Sequence, residues 1–210
     1  MDLFKVEDLT FEAEHSKKIE HIDFSIAEKD IAVIFSNDAS SSELLKTIVG
    51  IKKPVSGKIF YTDQEITSYT PKDIEEWRIK DVSYVSGTGS LFQELTVRGN
   101  IYMPLSLNKI RYNRENIEQI LIDCEADELL KESPSDLTNL EIVKVKLARA
   151  MVTKPFVLAL DNITYGLTTP EKNEVLALIS HLNNVYNVTV IEATNDVLLE
   201  RRGTKFIDVR

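Results

Sequence analysis

The segment IAVIFSNDASSSELLKTIVGIKKPVSGKIFY, residues 31–61, constrains the fold more than any other part of the chain. It reads as a short apolar strand, a tight polar loop, and a helix carrying Leu44, Leu45, Ile48 and Val49 at helical spacing. A second strand follows, entered through Ser56, Gly57 and Lys58. A strand that feeds a tight turn opening a helix is the layout of a phosphate-binding loop. The pattern G-x-x-x-x-G-K-[ST] needs glycines so that backbone N–H groups can close around phosphates, a lysine to reach the outer phosphates, and a hydroxyl for magnesium. From Phe35 to Glu43 there is no glycine and no lysine, and only Ser42 offers a hydroxyl at the metal position.

The rest of the chain supplies alternating elements. LFKVEDLTF and IEHIDFSIA alternate apolar and polar residues, as half-buried antiparallel strands do. The strand at 31–35 is apolar throughout, which predicts cover on both faces. Residues from about 88 to 136 read as mostly helical and polar, with Pro104 and Pro134 as breakers near each end. Leu140, Val143, Leu147 and Met151 form a helical stripe before the strand FVLAL. A helix at about 170–184, the strand NVTVIEA, a short helix and a final strand TKFIDVR follow, and such alternation predicts a mostly parallel sheet.

Composition excludes some functions. The chain has 210 residues with 43% apolar and 28% charged, and its net charge of -9 without a basic block argues against nucleic acid as a main partner. Its apolar runs are strand-sized, too short to cross a bilayer, and the N-terminus is acidic rather than a secretory signal. The single Cys124 cannot form an internal disulfide and fits a structural role in a reducing compartment. His15, His21 and His181 have no ligand-like spacing, so no metal is expected.

Two further segments, SYVSGTGSLFQELTVRGNIYMPL and PSDLTNLEIVKVKLARAMVTKPFVLALDNITYGL, resemble ATP-binding-cassette (ABC) ATPase subunits, in the family's order and at its separations. There a strand ending in glutamine precedes a segment like SLF-x-x-LTVR-x-NI-x-x-PL, and later come the signature LSGGQ, a helix like RVALARAL-x-x-P, and the strand LLLDEPT. The resemblance covers essentially the whole chain. It implies an α/β fold: a P-loop NTPase (RecA-like) core with an antiparallel β subdomain and an inserted helical subdomain. One domain spans 1–210, with core residues 1–87 and 137–210 and the helical part at about 88–136.

Residue by residue, the resemblance places the loop glycines at Phe35, Asp38 and Ser40, the lysine at Ser41, and the hydroxyls at Ser42 and Glu43. Asp38 and Glu43 put acids where a polyanion would lie; two like charges about 4 Å apart repel by roughly 4 kcal/mol at an effective dielectric of about 20. Asp161 keeps the Walker B aspartate, the catalytic glutamate falls at Asn162, the Q-loop glutamine at Gly87, and the switch histidine at Asn195. The signature reads Leu137, Thr138, Asn139, Leu140, Glu141, in which Thr138 keeps a hydroxyl and Leu140 blocks the close backbone approach. The adenine-stacking aromatic is replaced by Glu12 and Ala13. Asp38 and Ser40 to Ser42 can equally cap the helix, and Asp161 can serve as a turn residue.

These losses together give the expectation of no catalytic residues, no cofactor and no enzyme: a pseudo-ATPase subunit of a membrane transport complex. Within the family the likeness is to lipid-transport ATPases of the Mla type that partner MCE proteins, with FtsE-like and LolD-like groups sharing the pattern. Partners would be a transmembrane permease subunit, docked through Leu91, Phe92, Leu95 and Val97, and a second ABC ATPase subunit in a homo- or heterodimer. The chain would be cytoplasmic and peripheral at the inner membrane. Two alternatives stay open: a hydrolysing subunit with a non-standard site, which needs a cation from elsewhere while Lys46 is placed on the helix surface, and a cytosolic scaffold or regulatory module.

Overall fold

The computed structural model describes residues 1–13, 17–196 and 203–209. The alternating N-terminal segments pair antiparallel as β1 (Asp2–Glu12) and β2 (Lys18–Ala27), and β4 (Ser56–Tyr61) and β5 (Gln64–Glu65) extend them to the order β2-β1-β4-β5. Phe4, Val6, Leu9 and Phe11 of β1 are buried. The alternation breaks at Asp8, where φ is 47° and the pairing shifts between Val6 and Leu9. Gly57 crosses that irregularity at φ 88°, and a Cβ there would lie 2.3 Å from the Asp8 carbonyl oxygen, so the position requires glycine.

The apolar runs form a second, wholly parallel sheet. Its strands are β3 (Ile31–Phe35), β6 (Val82–Ser86), β7 (Val157–Asp161), β8 (Thr189–Thr194) and β9 (Lys205–Asp208), in the order β6-β7-β8-β3-β9. Every residue of β7 and β8 is buried, as strands covered on both faces must be. Side chains alternate between two cores. Leu158, Leu160 and Val190 join one cluster with α3 (Val97–Leu107), α4 (Arg114–Asp123), α5 (Asn139–Met151) and α6 (Thr169–Tyr186). Ala32, Ile34, Ala159, Ile191 and Ala193 join the other, with the antiparallel sheet, α1 (Ser40–Ile48) and Trp77 of α2 (Pro71–Asp81). The expected α/β architecture, with its parallel and antiparallel sheets, is observed.

Some local expectations need correction. Pro104 does not break the helical stretch; it lies inside α3, which runs on to Leu107. Proline removes only one intrahelical donor, and the helix closes a turn later with the Asn108 N–H donating to the Pro104 carbonyl at 3.1 Å. The short helix expected after β8 falls on residues 197–202 and, like His15, lies outside the described residues. Cys124 is fully buried among apolar side chains, and burial pushes its thiol pKa up, which fits the structural role.

Two buried features have consequences for stability. Glu192, at the centre of β8, is 2% exposed, its Oε1 has no hydrogen-bond partner among the described residues, and burial first, then the nearby Asp196 charge, raises its pKa to about 7. The folded state therefore holds a proton that the unfolded chain releases above about 4.5. Stability should fall as pH rises from about 4.5 to 7, by on the order of 3 kcal/mol. Glu192→Gln should flatten that fall in urea melts across the range. Gly87 is the other: a Cβ there would lie 1.9 Å from the Asn162 carbonyl oxygen, so Gly87→Ala should cost about 2 kcal/mol in the same melts.

Candidate functional site

The parallel sheet brings four loops to one edge. In register, Phe35 pairs Thr194, Asp161 pairs Ala193, and Ser86 pairs Asp161, so the C-terminal ends of β3, β6, β7 and β8 are level. Loops beginning at Ser36, Gly87, Asn162 and Asn195 leave from this edge, the usual place for ligand sites in open parallel sheets. Phe35, Asp38, Ser40 to Ser42, Glu43, Gly87, Asp161, Asn162 and Asn195 are thus gathered along it. Thr138 is the N-cap of α5 and serves that helix instead.

Without glycines, the loop after β3 organises itself through side chains. The Ser36 hydroxyl donates to the Asp38 carbonyl at 2.7 Å and accepts from the Ser41 N–H at 2.9 Å. The Asp38 carboxylate accepts the Ser40 N–H at 2.8 Å. Ser40, through its hydroxyl and then its N–H, holds the Asp38 carboxyl below the usual carboxylate range, with Lys17 3.8 Å away. Two N–H groups at the start of α1 therefore already have internal partners. The N-cap of α1 is Ala39, which makes no side-chain cap bond, so Asp38, one residue earlier, holds the first helical N–H from outside the cap position.

The centre of the site is Asp161, whose side chain is 8% exposed. Its Oδ2 accepts hydrogen bonds from the Ser42 hydroxyl at 2.7 Å and from the Tyr84 hydroxyl, and its Oδ1 accepts from the Asn162 amide at 3.1 Å. Burial, then the bond to Asp161, pushes the Tyr84 hydroxyl pKa up, so Tyr84 stays protonated and donates. Asn162 sits at φ 48°, a conformation that asparagine tolerates better than most residues. The Gly87 N–H donates to the Asp161 carbonyl at 2.7 Å, and Lys146, buried below, donates to the carbonyls of Gly87 at 2.8 Å and Ser86 at 3.2 Å. Burial first, then Arg149, lowers the Lys146 pKa.

Lys46 corrects the sequence reading most directly. Expected on the surface, its side chain is 26% exposed, and its ammonium lies 3.0 Å from Glu43 Oε1 and 3.8 Å from Asp161 Oδ2. Lys52 also pairs with Glu43. The acids Asp38, Glu43 and Asp161 thus face Lys17, Lys46 and Lys52, so the expected unrelieved negative charge is not what the loop presents. The sequence carried the signal: Ser42 and Lys46 are four apart on α1 and share a face.

Of the residues that the resemblance assigns to magnesium, Ser42 donates to Asp161, and Asp161 also accepts from Tyr84, with an ammonium alongside. Among the described residues no group of three or more His, Cys, Asp or Glu could hold a metal ion. This donor set does not fit magnesium, which would need oxygens that are already hydrogen-bonded and would stand beside an ammonium. His21 and His181 bond Asp8 at 2.6 Å and Asp123 at 3.3 Å.

The remaining positions divide by role. Thr138 and Glu141, at signature positions, form a capping box: the Thr138 N–H donates to Glu141 at 2.8 Å and the Glu141 N–H to the Thr138 hydroxyl at 3.3 Å. The T-x-x-E spacing announced this. Leu91 and Val97 are buried in the helical core, whereas Phe92 is 48% and Leu95 37% exposed. Buried Asn100, which the sequence gave no particular role, shapes that loop. Its amide accepts the Phe92 N–H at 2.7 Å and donates to the carbonyls of Phe92 at 2.9 Å and Thr96 at 3.1 Å.

Comparison with known proteins agrees with this architecture. The methionine import ATP-binding protein MetN 2 of Bacillus cereus is 29% identical over 85% of the chain, which spans only 53% of that relative. The lipoprotein-releasing system ATP-binding protein LolD of Idiomarina loihiensis is 29% identical over 86% of the chain and 81% of its own length. Among solved structures, the ATP-binding cassette MJ0796 bound to ADP and Pi superposes with a TM-score of 0.81 at 19% identity, covering 99% of this chain and 94% of that one. cbiO1 from Clostridium perfringens gives 0.80 at 23%, covering 93% and 79%. These relatives overturn the expectation that the chain is not an enzyme: they are named ATP-binding proteins. Of the losses behind that expectation, the missing cation alone finds a substitute nearby, Lys46 on α1, 3.8 Å from Asp161. The ABC transporter family model matches residues 19–165, and the chain belongs to that family.

Proposed function

We propose that this chain is the ATP-binding subunit of a membrane transport complex of the ABC type, with a non-standard site. The observation that carries the reading is Lys46, held 3.8 Å from Asp161 on the edge from which four strand-end loops emerge. There it offers phosphate oxygens the cation that the Phe35–Glu43 loop lacks. The half-exposed Asp38 carboxylate is the group a phosphate would displace from the Ser40 N–H. ATP at about 1 mM should raise the melting temperature by about 3 °C, and Lys46→Ala should abolish the rise. An unchanged melting temperature in the wild-type chain would contradict the reading.

The subunit acts from the cytoplasmic side, peripheral to the membrane, as a homo- or heterodimer with a second ABC ATPase subunit. Its core is 1–87 and 137–210, with the helical subdomain at about 88–136. No helix among the described residues is long and apolar enough to cross a membrane, so a permease subunit would supply the path. Phe92 and Leu95, exposed on a loop tied down by Asn100, suit its docking. A lipid-related cargo is supported by the relative named for lipoprotein release, of which this chain covers 81%. Phe92→Glu should release the chain from the membrane fraction while leaving its melting temperature within about 1 °C, since the side chain is half exposed. Unchanged sedimentation with membranes would remove this surface from the docking site.

A further inference from the structure

A carboxylate that is nearly buried must be compensated, and the compensation of Asp161 is complete without a metal. Three donors, Ser42, Tyr84 and Asn162, use its two oxygens. The charge is met by Lys46, whose ammonium is fixed between Asp161 at 3.8 Å and Glu43 at 3.0 Å. Helical spacing puts the three on one face of α1: Glu43 is three residues before Lys46, and Ser42 is four before it. Glu43 is held in turn by Lys52, so the ammonium cannot follow it out to solvent without breaking a second ion pair. Magnesium requires near-octahedral oxygen ligands at about 2.1 Å and sheds water reluctantly. To enter here it would have to displace the Ser42 and Tyr84 hydrogen bonds and stand against a fixed positive charge.

We infer that Lys46 is the built-in counter-ion of this site, a protein ammonium in the place of a divalent cation, so that the site is assembled and used without metal. The inference deepens the ATP-binding reading, since it concerns the same site, but its test contains no nucleotide and the two can fail separately. The wild-type chain should melt at the same temperature in EDTA and in about 10 mM magnesium chloride at matched ionic strength. Lys46→Gln should melt lower in EDTA and recover by about 3 °C with magnesium, because Asp161 then lacks its ammonium while Glu43 keeps only that of Lys52. Adding Asp161→Asn to that variant should remove the recovery. Electron paramagnetic resonance of added manganese gives a second reading on the wild-type chain alone, should Lys46→Gln not fold: the ion should remain free. A magnesium-dependent rise in the wild-type melting temperature that Asp161→Asn removes would overturn the inference. So would bound manganese in the wild-type chain, or a folded Lys46→Gln variant that ignores magnesium.

Discussion

The Asp161 carboxylate is the point on which the functional edge of the molecule depends. It ends β7, yet its side chain and backbone tie four separate pieces of chain: Ser42 and Lys46 on α1, Tyr84 on β6, Asn162 in its own turn, and Gly87 in the loop after β6. A charge this deeply placed is stable only when each oxygen is hydrogen-bonded and the charge itself is matched. The sequence around it meets that demand with hydroxyls, an amide and an ammonium. The close approach of the Gly87 backbone follows from the same arrangement, because a Cβ would strike the Asn162 carbonyl.

Electrostatic balance extends the same logic outward. Three acids line the loop and its helix, and each meets a lysine: Asp38 with Lys17, Glu43 with Lys46 and Lys52, and Asp161 with Lys46. Counting the acids alone predicts a region that repels any polyanion. With the ion pairs included the acids are matched, and under the proposed function a phosphate would have to displace the Asp38 carboxylate from the Ser40 N–H. The outer pair, Lys17 with Asp38, is solvent-exposed and weak, whereas the pairs made by Lys46, whose side chain is 26% exposed, are screened less.

Much of the fold was legible because it follows from periodicity. Alternation in LFKVEDLTF and IEHIDFSIA located an antiparallel pair, and unbroken apolar runs located the buried strands β3 and β7. The site was legible only in part. The positions Asp161, Asn162, Gly87 and Ser42 could be placed by family pattern, but the ion pair of Lys46 with Asp161 could not, because matching asks what stands at each expected position. Lys46 sits one helical turn beyond the loop, and only three-dimensional spacing along α1 reveals it. Capping boxes at Thr138 and Thr168 were written as T-x-x-E and passed unread. Glu192 gave no signal, since an acid in a strand normally faces solvent, and only the sheet order shows that β8 is central. Pro104 misled because proline near a helix end can be accommodated within the last turns.

The most direct measurement of the central claim is a crystal structure of the chain grown with manganese, with anomalous difference density calculated around Asp161. No anomalous peak is expected there, with the Ser42 hydroxyl hydrogen-bonded to Asp161 and the Lys46 ammonium within about 4 Å of the carboxylate. A peak liganded by Ser42 and Asp161, with Lys46 turned out to solvent, would contradict the claim.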